Sequence, residues 1–431
     1  MTPELLARSH SERVREVLLQ GRLDELQRLS TELSKQLQML TNVPVALLRS
    51  VDDLPRQMVL RWLSMRPKFI SESQLIRLAD RLIGRRDWPR LLQKYQANDA
   101  AVLVAVLTWQ CEVRCTYCKI PKQAGREMSD ETLQLSEELL FSSPHERLEL
   151  RYFGGEPLLE WPLIQRSILR TQRFLAHSQR CQERDLRYMI TTNGYALTVD
   201  KIKWLSDYPV TLQLSLDGLP EAHNLHRKAV DPNIQSYDYS GIDKAPLLNE
   251  LGIDTKVIMV VHPARVEHLF VDFSHLAEQG FRCIQINWAH FTIWKPRHLE
   301  QFSAGLHQLG VYLQQCWSSG TGPWLVNLGE TMRIVRTSTE LTVDWDGSVF
   351  ANNGFLFRPN VEDVLRLGHL DDAHSWMRYL LDAPAGEELD DRTFADRIWD
   401  NNTQVGVIFN SWLRWMQNQG WPEGAPTAFS D

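Results

Sequence analysis

The chain has 431 residues and a formal net charge of −7, with 43% hydrophobic and 23% charged residues. This balance is typical of a globular protein with two or three domains, and it gives no general basic surface for nucleic acid. No apolar run reaches the ~20 residues that cross a bilayer, and the amino terminus has no apolar secretory-signal segment. Six cysteines are too few for a disulfide scaffold. We expect a cytoplasmic protein with no membrane and no nucleic-acid partner.

The first 98 residues have a helical pattern. Leucines from Leu18 to Leu37 recur mostly at three- and four-residue spacings, as a single buried helix face requires. There is no glycine-rich loop and no strand-like alternation in this part. We predict a helical N-terminal domain over residues 1–98, which serves either packing and dimerisation or the recruitment of a substrate.

The pattern changes near residue 99 to strands that alternate with helices. The strand-like runs are AVLVAVLT, RLELRYF, LRYMITT, VTLQLSL, TKVIMVV and FRCIQIN. Alternation of this kind predicts βαβ units, a parallel sheet and ligands beyond the carboxyl ends of the strands. Further along, Leu299–Gln315 is predicted to be a helix, and LTVDWDGSVFANNG a hairpin that turns at Asp346 and Gly347.

Three cysteines, Cys111, Cys115 and Cys118, follow the first of these strands with the spacing C-x3-C-x2-C. Structural zinc requires four ligands, usually in two separated pairs, and no matching second pair follows. A disulfide plus one free thiol fits neither the expected compartment nor this close spacing. Three thiolates suit three irons of a [4Fe–4S] cluster, and the fourth iron is left open for another molecule.

The cysteine motif, with Tyr117 just before its third cysteine, resembles the signature of the radical S-adenosylmethionine (SAM) superfamily. The resemblance implies that the open iron binds the amino and carboxylate groups of SAM. It also implies that an electron, from a donor such as flavodoxin or ferredoxin, cleaves SAM to a 5′-deoxyadenosyl radical. The implied cofactors are one [4Fe–4S] cluster and SAM.

A second motif, YFGGEPLLE, follows the second strand and resembles the GGEP motif of that superfamily: Gly154, Gly155, Glu156 and Pro157. Glycines allow the backbone to approach a ligand closely, and Glu156 supplies an acceptor for the ammonium group of the ligand. An ordinary turn is the alternative for two consecutive glycines. The cysteines one βα unit upstream favour the cofactor-binding interpretation.

Two further segments, ITTNGYAL and LQLSLDGLPEAHNLHR, are similar to segments of the branch that contains sulfatase-maturing enzymes and ribosomal-peptide maturases. The resemblance implies that Ser215 holds the methionyl carboxylate or the ribose, and that Asn193 and Asp217 line the same edge. Turn chemistry is compatible with both Asn-Gly and Asp-Gly. Arg227 either pairs with a carboxylate of the ligand or substrate, or lies exposed on the surface.

Many members of that branch have a C-terminal SPASM or twitch domain with auxiliary clusters. Here Asn352 stands where the opening pattern of that domain has a cysteine, and no cysteine follows Cys316. We therefore predict one cluster, with Cys181, Cys283 and Cys316 left open as ligands of a second. The predicted fold class is α/β: a partial (β/α)6 radical SAM barrel over residues 99–295, after the helical N-terminal domain. Residues 296–431 are predicted to form an α+β, degenerate SPASM/twitch-like region.

The aromatic segment after the sixth strand bears on the substrate. This segment, INWAHFTIWKPRH, has two interpretations: it lines a substrate pocket, or it packs the core against the C-terminal region. Its candidate residues are Trp288, His290, Phe291, Trp294 and Lys295. By analogy with the branch, the substrate is a peptide or protein side chain, as in the maturation of ribosomal peptides. The alternative is a small metabolite. No residue is singled out as the one that acts on the substrate.

Overall fold

The computed structural model describes residues 100–142, 146–177, 184–290, 292–328, 340–350, 353–357, 366–370 and 397–418. The predicted N-terminal domain, Cys181, Phe291 and Asn352 lie outside the described residues, so the division into domains stays a prediction. Among the helices that are described, none is both long and apolar enough to cross a bilayer.

The strands and helices of the core alternate as the sequence pattern predicts. The strands are β1 (Ala100–Thr108), β2 (Val113–Cys115), β3 (Arg147–Gly154), β4 (Asp185–Thr192), β5 (Val210–Ser215), β6 (Arg227–Ala229), β7 (Asp254–Val261) and β8 (Cys283–Trp288). The helices are α1 (Asp130–Ser142), α2 (Trp161–His177), α3 (Val199–Leu205), α4 (Pro220–His226), α5 (Ala245–Glu250) and α6 (Leu269–Glu278). Short 3₁₀ turns cover Pro157–Glu160, Ser236–Tyr239, Ile242–Lys244 and Pro263–His268.

The remaining elements follow the core. They are α7 (Pro296–Ser318), β9 (Trp324–Leu325), a 3₁₀ turn (Val326–Leu328), β10 (Leu341–Val343), β11 (Ser348–Phe350), a 3₁₀ turn (Asn353–Phe357), β12 (Arg366–His369) and α8 (Arg397–Asn418). The predicted helix over Leu299–Gln315 is confirmed within α7. The predicted hairpin is confirmed as well, because β10 and β11 pair antiparallel on either side of Asp346 and Gly347.

The main sheet has ten strands in the order β12-β11-β10-β1-β3-β4-β5-β7-β8-β9. All neighbours from β10 through β1 to β9 are parallel. The six strands read from the sequence are therefore adjacent in chain order, as in a (β/α)6 partial barrel. Their carboxyl ends meet at one edge, where ligands of α/β sheets bind.

The two faces of the sheet differ in chemistry. One face carries apolar side chains, such as those of Leu150, Leu212 and Ile286, which are fully buried against the helices. The alternate positions carry polar, half-buried side chains, as the burial patterns of β5 and β8 show. Because successive side chains of a strand point to opposite faces, the helix-free face of the partial barrel is polar.

The C-terminal hairpin extends the partial barrel at the edge of β1. Leu103, Val104 and Ala105 of β1 pair in parallel with Leu341, Thr342 and Val343 of β10. This places Asp344, the residue after β10, beside the end of β1. Its Oδ1 accepts a hydrogen bond from Nε1 of Trp109 at 2.9 Å. The hairpin is therefore attached directly to the segment that leads to Cys111.

Candidate active site

The three cysteines of the C-x3-C-x2-C motif lie on the connection between β1 and α1, at the carboxyl edge of the sheet. The short strand β2 falls within the motif and pairs antiparallel with β6, so that Cys115 lies opposite Arg227. This two-stranded ribbon joins the cysteine connection to the segment that follows β5. The motif is thus held from two sides, by the main sheet and by the ribbon.

The first cysteine receives hydrogen bonds from two nitrogen donors. The backbone N–H of Val113 lies 3.4 Å from Sγ of Cys111, and Nδ2 of Asn193 lies 3.5 Å from the same sulfur. Oδ1 of Asn193 accepts from the N–H of Tyr195 at 2.8 Å, which fixes the orientation of the amide. Asn193 therefore contacts a candidate cluster ligand from the end of the neighbouring strand β4.

The other two sulfurs face cationic side chains. Nη1 of Arg227 lies 4.0 Å from Sγ of Cys115. Lys122 adopts a left-handed backbone conformation, with φ of 58°, and its ammonium group donates a hydrogen bond to Cys118. Burial lowers the pKa of Lys122, but the three cysteines together raise it above its ordinary value. Each sulfur therefore has a donor that favours the thiolate, the form that binds iron.

The three thiols suit a cluster rather than a single ion. All three are free, and burial raises the pKa of Cys111 and raises that of Cys115 to about 11. Within the described residues, no group of three or more His, Cys, Asp or Glu side chains is arranged to hold one metal ion. Each iron of a cubane takes one thiolate, so three thiols on one loop do not have to converge on a point. A bound cation also deprotonates such thiols outright.

The two glycines of the GGEP motif make close backbone contacts with the cysteine connection. The N–H of Gly155 donates to the carbonyl of Thr108 at 2.7 Å, and the N–H of Glu156 donates to the carbonyl of Gln110 at 2.8 Å. A Cβ at Gly155 would lie 2.0 Å from the Gln110 oxygen, and one at Gly154 would lie 2.2 Å from the Thr108 oxygen. Gly154 also has a φ of 133°. Only glycine fits at these positions.

The carboxylate of Glu156 is fully buried and bonded within the protein. It accepts hydrogen bonds from the N–H of Leu158 at 3.0 Å, the hydroxyl of Thr192 at 2.7 Å and the N–H of Asn193 at 2.7 Å. Burial raises its pKa to about 7, against the effect of these donors. Pro157 occupies the first turn of the following 3₁₀ helix, where no N–H is needed. Glu156 thus ties the GGEP turn to the end of β4.

Asp217, two residues beyond β5, is the centre of a buried network. Its Oδ2 accepts from the hydroxyl of Tyr117 at 2.6 Å, and its Oδ1 accepts from Nη2 of Arg227 at 2.9 Å and from the N–H of Val260 at 3.0 Å. The guanidinium also lies over the Tyr117 ring, 5.4 Å from its centroid. Arg227 is only 5% exposed. It is therefore neither a surface residue nor open to a ligand carboxylate, because Asp217 of the same chain pairs with it.

Ser215 ends β5 on the polar, helix-free face. Along that face toward the carboxyl edge lie Thr191, Gln213, Gln285 and Asn287, all half-buried. The Thr191 hydroxyl donates to Oε1 of Gln213 at 2.8 Å, and Nε2 of Gln285 donates to Oδ1 of Asn287 at 3.2 Å. We call these four residues and Ser215 the amide face. It presents neutral donors and acceptors near the carboxyl ends of β4, β5 and β8, and β7 between them contributes Lys256, Ile258 and Val260 to the same face.

The aromatic segment after β8 belongs to the packing of the C-terminal helix. Trp288 is 2% exposed and Trp294 is 1% exposed. Trp288 packs edge-on against Phe409 of α8, with ring centroids 5.8 Å apart. Asn401 of α8 accepts from the N–H of Trp294 at 2.6 Å and donates to its carbonyl at 2.7 Å. These two tryptophans therefore pack the core against α8. For them the structure agrees with the packing interpretation of the segment and not with a substrate pocket.

Two features of the site have no signal in the sequence. Lys122 belongs to a KIPK stretch that reads as an ordinary loop, and only the fold turns its ammonium toward the sulfurs. His226 and His262 are distant in sequence, yet their ring centroids lie 4.1 Å apart, and Nδ1 of His226 lies 2.9 Å from the hydroxyl of Thr116. Burial lowers the pKa of both rings, that of His262 to about 4. Both rings are thus neutral at pH 7.

Comparison with known proteins agrees with this geometry. Residues 106–277 match the family model of the radical SAM superfamily. The matched segment contains the cysteine connection, the GGEP turn and the Asp217 network. The chain therefore contains a radical SAM domain and is an enzyme, and the cofactors of such domains are a [4Fe–4S] cluster and SAM.

Curated relatives include two enzymes of one kind. The cysteine-type anaerobic sulfatase-maturating enzyme of Clostridium novyi (strain NT) is 23% identical over 225 residues, covering 50% of this chain and 58% of that protein. Its counterpart from Clostridium perfringens (strain ATCC 13124) is 22% identical over 199 residues, covering 43% and 50%. The chain thus spans about half the length of the curated relatives it matches.

Among solved structures, native anSMEcpe with bound AdoMet and the Kp18Cys peptide has the same fold. The TM-score is 0.58 at 18% identity, and the match covers 74% of this chain and 99% of that one. The parallel sheet described above therefore has the architecture of a radical SAM partial barrel.

Proposed function

We propose that this enzyme modifies a side chain of a peptide or protein. SAM, when bound to a cluster on Cys111, Cys115 and Cys118, supplies a 5′-deoxyadenosyl radical that removes a hydrogen atom from the substrate. The residues of the chain bind the cofactors, orient the peptide and keep water away from the reacting carbon.

The observation that carries the proposal is the chemistry of the amide face. The side chains of Gln213, Gln285 and Asn287 offer neutral donors and acceptors that match the N–H and C=O groups of a peptide backbone. A phosphorylated or carboxylated metabolite would instead require an unpaired cation. On the same face Arg151 is already paired, with Glu149 at 2.7 Å and with Glu340 at 2.8 Å. Lys256, the register partner of Gln213, is buried and also has a partner.

The relatives support the same class of substrate. Two curated relatives are named sulfatase-maturating enzymes, and anSMEcpe has been solved with a bound peptide. These properties belong to those proteins, and this chain spans about half the length of the two curated relatives.

Within this proposal the enzyme works with one cluster. Cys283 begins β8, so it lies at the amino edge of the sheet, opposite to the edge that carries the cysteine connection. Cys316 lies near the end of α7 and contacts Gly322. Gly322 precedes β9 by two residues, and Trp324 of β9 pairs with Cys283. Both thiols therefore belong to the far edge. A substrate radical must then accept a hydrogen atom, rearrange, or lose its electron to an external acceptor.

The test uses anaerobically reconstituted protein with SAM and dithionite. The probes are synthetic peptides encoded by short reading frames next to the gene, together with a cysteine-containing sulfatase-type peptide. We expect at least one peptide to raise the formation of 5′-deoxyadenosine above the peptide-free rate and to change mass itself. If no peptide does either while a small metabolite does both, the substrate is the metabolite.

Two variants locate the peptide. Asn287→Ala removes an amide from the amide face, and we expect kcat/KM for the responsive peptide to fall about tenfold, the effect of ~1.4 kcal/mol. Peptide-free cleavage of SAM should stay unchanged. Gln308→Ala, on the exposed side of α7, is the matched control and should alter neither rate. Equal effects of both variants would contradict the role of the amide face.

A further inference from the structure

The buried ion pair of Arg227 and Asp217 contacts a cluster ligand but is closed to the substrate. Asp217 is 3% exposed and Arg227 5%. An ion pair that deep is costly to desolvate, and apolar residues of similar volume often stabilise a protein as well or better. Stability alone therefore does not explain why the pair lies directly behind Cys115.

The geometry of the pair is asymmetric with respect to the sulfur. Nη2 of Arg227 is bonded to Asp217 at 2.9 Å, while Nη1 of the same guanidinium points at Sγ of Cys115 at 4.0 Å. The carboxylate is turned away, because its oxygens accept from Tyr117 and Val260 as well. The sulfur therefore faces the positive end of the pair.

The position of the guanidinium is fixed by the backbone. Arg227 is the register partner of Cys115 in the β2–β6 ribbon. Its Nε is buried and has no hydrogen-bond partner within the described residues, so the side chain is held by its two Nη groups and by the Tyr117 ring.

We infer that Arg227 and Asp217 are positioning residues that set the reduction potential of the cluster bound by Cys115. Hydrogen bonds to cluster sulfurs and nearby positive charge favour the reduced, more negative state of an iron–sulfur cluster. The guanidinium raises the potential, and the carboxylate limits that increase. This inference depends on the cluster at the three cysteines and not on the proposed peptide substrate.

The inference predicts shifts of opposite sign for the two members of the pair. Arg227→Met removes the cation and the N–H donor, so the ratio of reduced to oxidised cluster at a fixed potential should fall about tenfold, a shift of about −59 mV. Asp217→Asn removes the opposing charge and keeps acceptors for Arg227 and Val260, so the potential should rise.

The measurement is a dithionite titration of the reconstituted protein, followed by electron paramagnetic resonance in the absence of any peptide. Lys228→Met is the matched control, because Lys228 is the next residue of β6, carries the same charge and is exposed on the other side of the ribbon. It should change the ratio less than twofold.

Opposite shifts for Arg227→Met and Asp217→Asn, with Lys228→Met near the wild type, support the inference. Shifts in the same direction, or shifts no larger than that of Lys228→Met, overturn it. If Arg227→Met does not retain a cluster, Asp217→Asn decides the question: a raised potential supports the inference, and an unchanged or lowered one refutes it. A failed peptide assay leaves these outcomes unaffected.

Discussion

Replacement of Gly155 by alanine tests whether the GGEP turn positions the cysteine connection. The added Cβ would lie 2.0 Å from the carbonyl oxygen of Gln110, the residue before Cys111. Carbon and carbonyl oxygen approach comfortably to about 3.3 Å, so the two backbones must separate by roughly 1 Å. That movement strains the hydrogen bond from Glu156 to Gln110, which measures 2.8 Å.

The expected cost follows from the fact that the new Cβ would collide with a backbone carbonyl, which cannot rotate away as a side chain can. Overpacking costs typically about 1–3 kcal/mol, and each kcal/mol lowers the melting temperature of a domain of this size by roughly 2–4 °C. We therefore expect Gly155→Ala to melt roughly 5 °C lower and to bind clearly less than four irons per chain after reconstitution.

The assays are circular dichroism on heating and iron and sulfide determination on anaerobic protein. Gly305→Ala is the control, since the nearest atoms to its Cβ would be side-chain atoms of Leu269, the closest at 3.2 Å, on helices away from the cysteines. It should retain full iron content. If Gly155→Ala also retained four irons and the wild-type melting temperature, the close approach of the two backbones would have no structural importance.

Three more predictions concern the same site. Burial raises the pKa of Glu156 from 4.5 to about 7. Its contribution to stability is therefore present below about pH 4.5 and is lost as the pH rises through 7. In Glu156→Gln the unfolding free energy, measured with urea, should decline less between pH 5 and 8 than in the wild type, by up to about 3 kcal/mol. Asp344→Ala should destabilise the protein by about 1–3 kcal/mol, because Trp109 loses its charged acceptor. Asp344→Asn keeps an acceptor oxygen and should cost less. Equal losses of unfolding free energy in the two variants would contradict this role of Asp344. Cys283→Ser should leave about four irons per chain, and an iron count near eight in the wild type would refute the single cluster.

The alternation of strands and helices was predictable because it depends on local periodicity. All six apolar runs predicted as strands, from AVLVAVLT to FRCIQIN, are strands of the parallel sheet. The hairpin turns at Asp346 and Gly347, as those residue types indicate. The pattern did not show that β10 continues the sheet beside β1. That contact joins segments more than 200 residues apart, and its three short pairs carry no distinctive residue types.

The sequence alone singled out the three cysteines and the GGEP turn as candidates, because a cluster and a close backbone approach demand particular residue types at fixed spacing. It left Arg227 undecided between a ligand contact and the surface, and it gave no sign of Lys122. Only the tertiary structure decided these. The pairing of β2 with β6 brings Arg227 next to Cys115, and Arg227 then pairs with Asp217, which follows β5. Residue types determine which chemistry is available, but charge and burial at a site depend on which distant segments pack together.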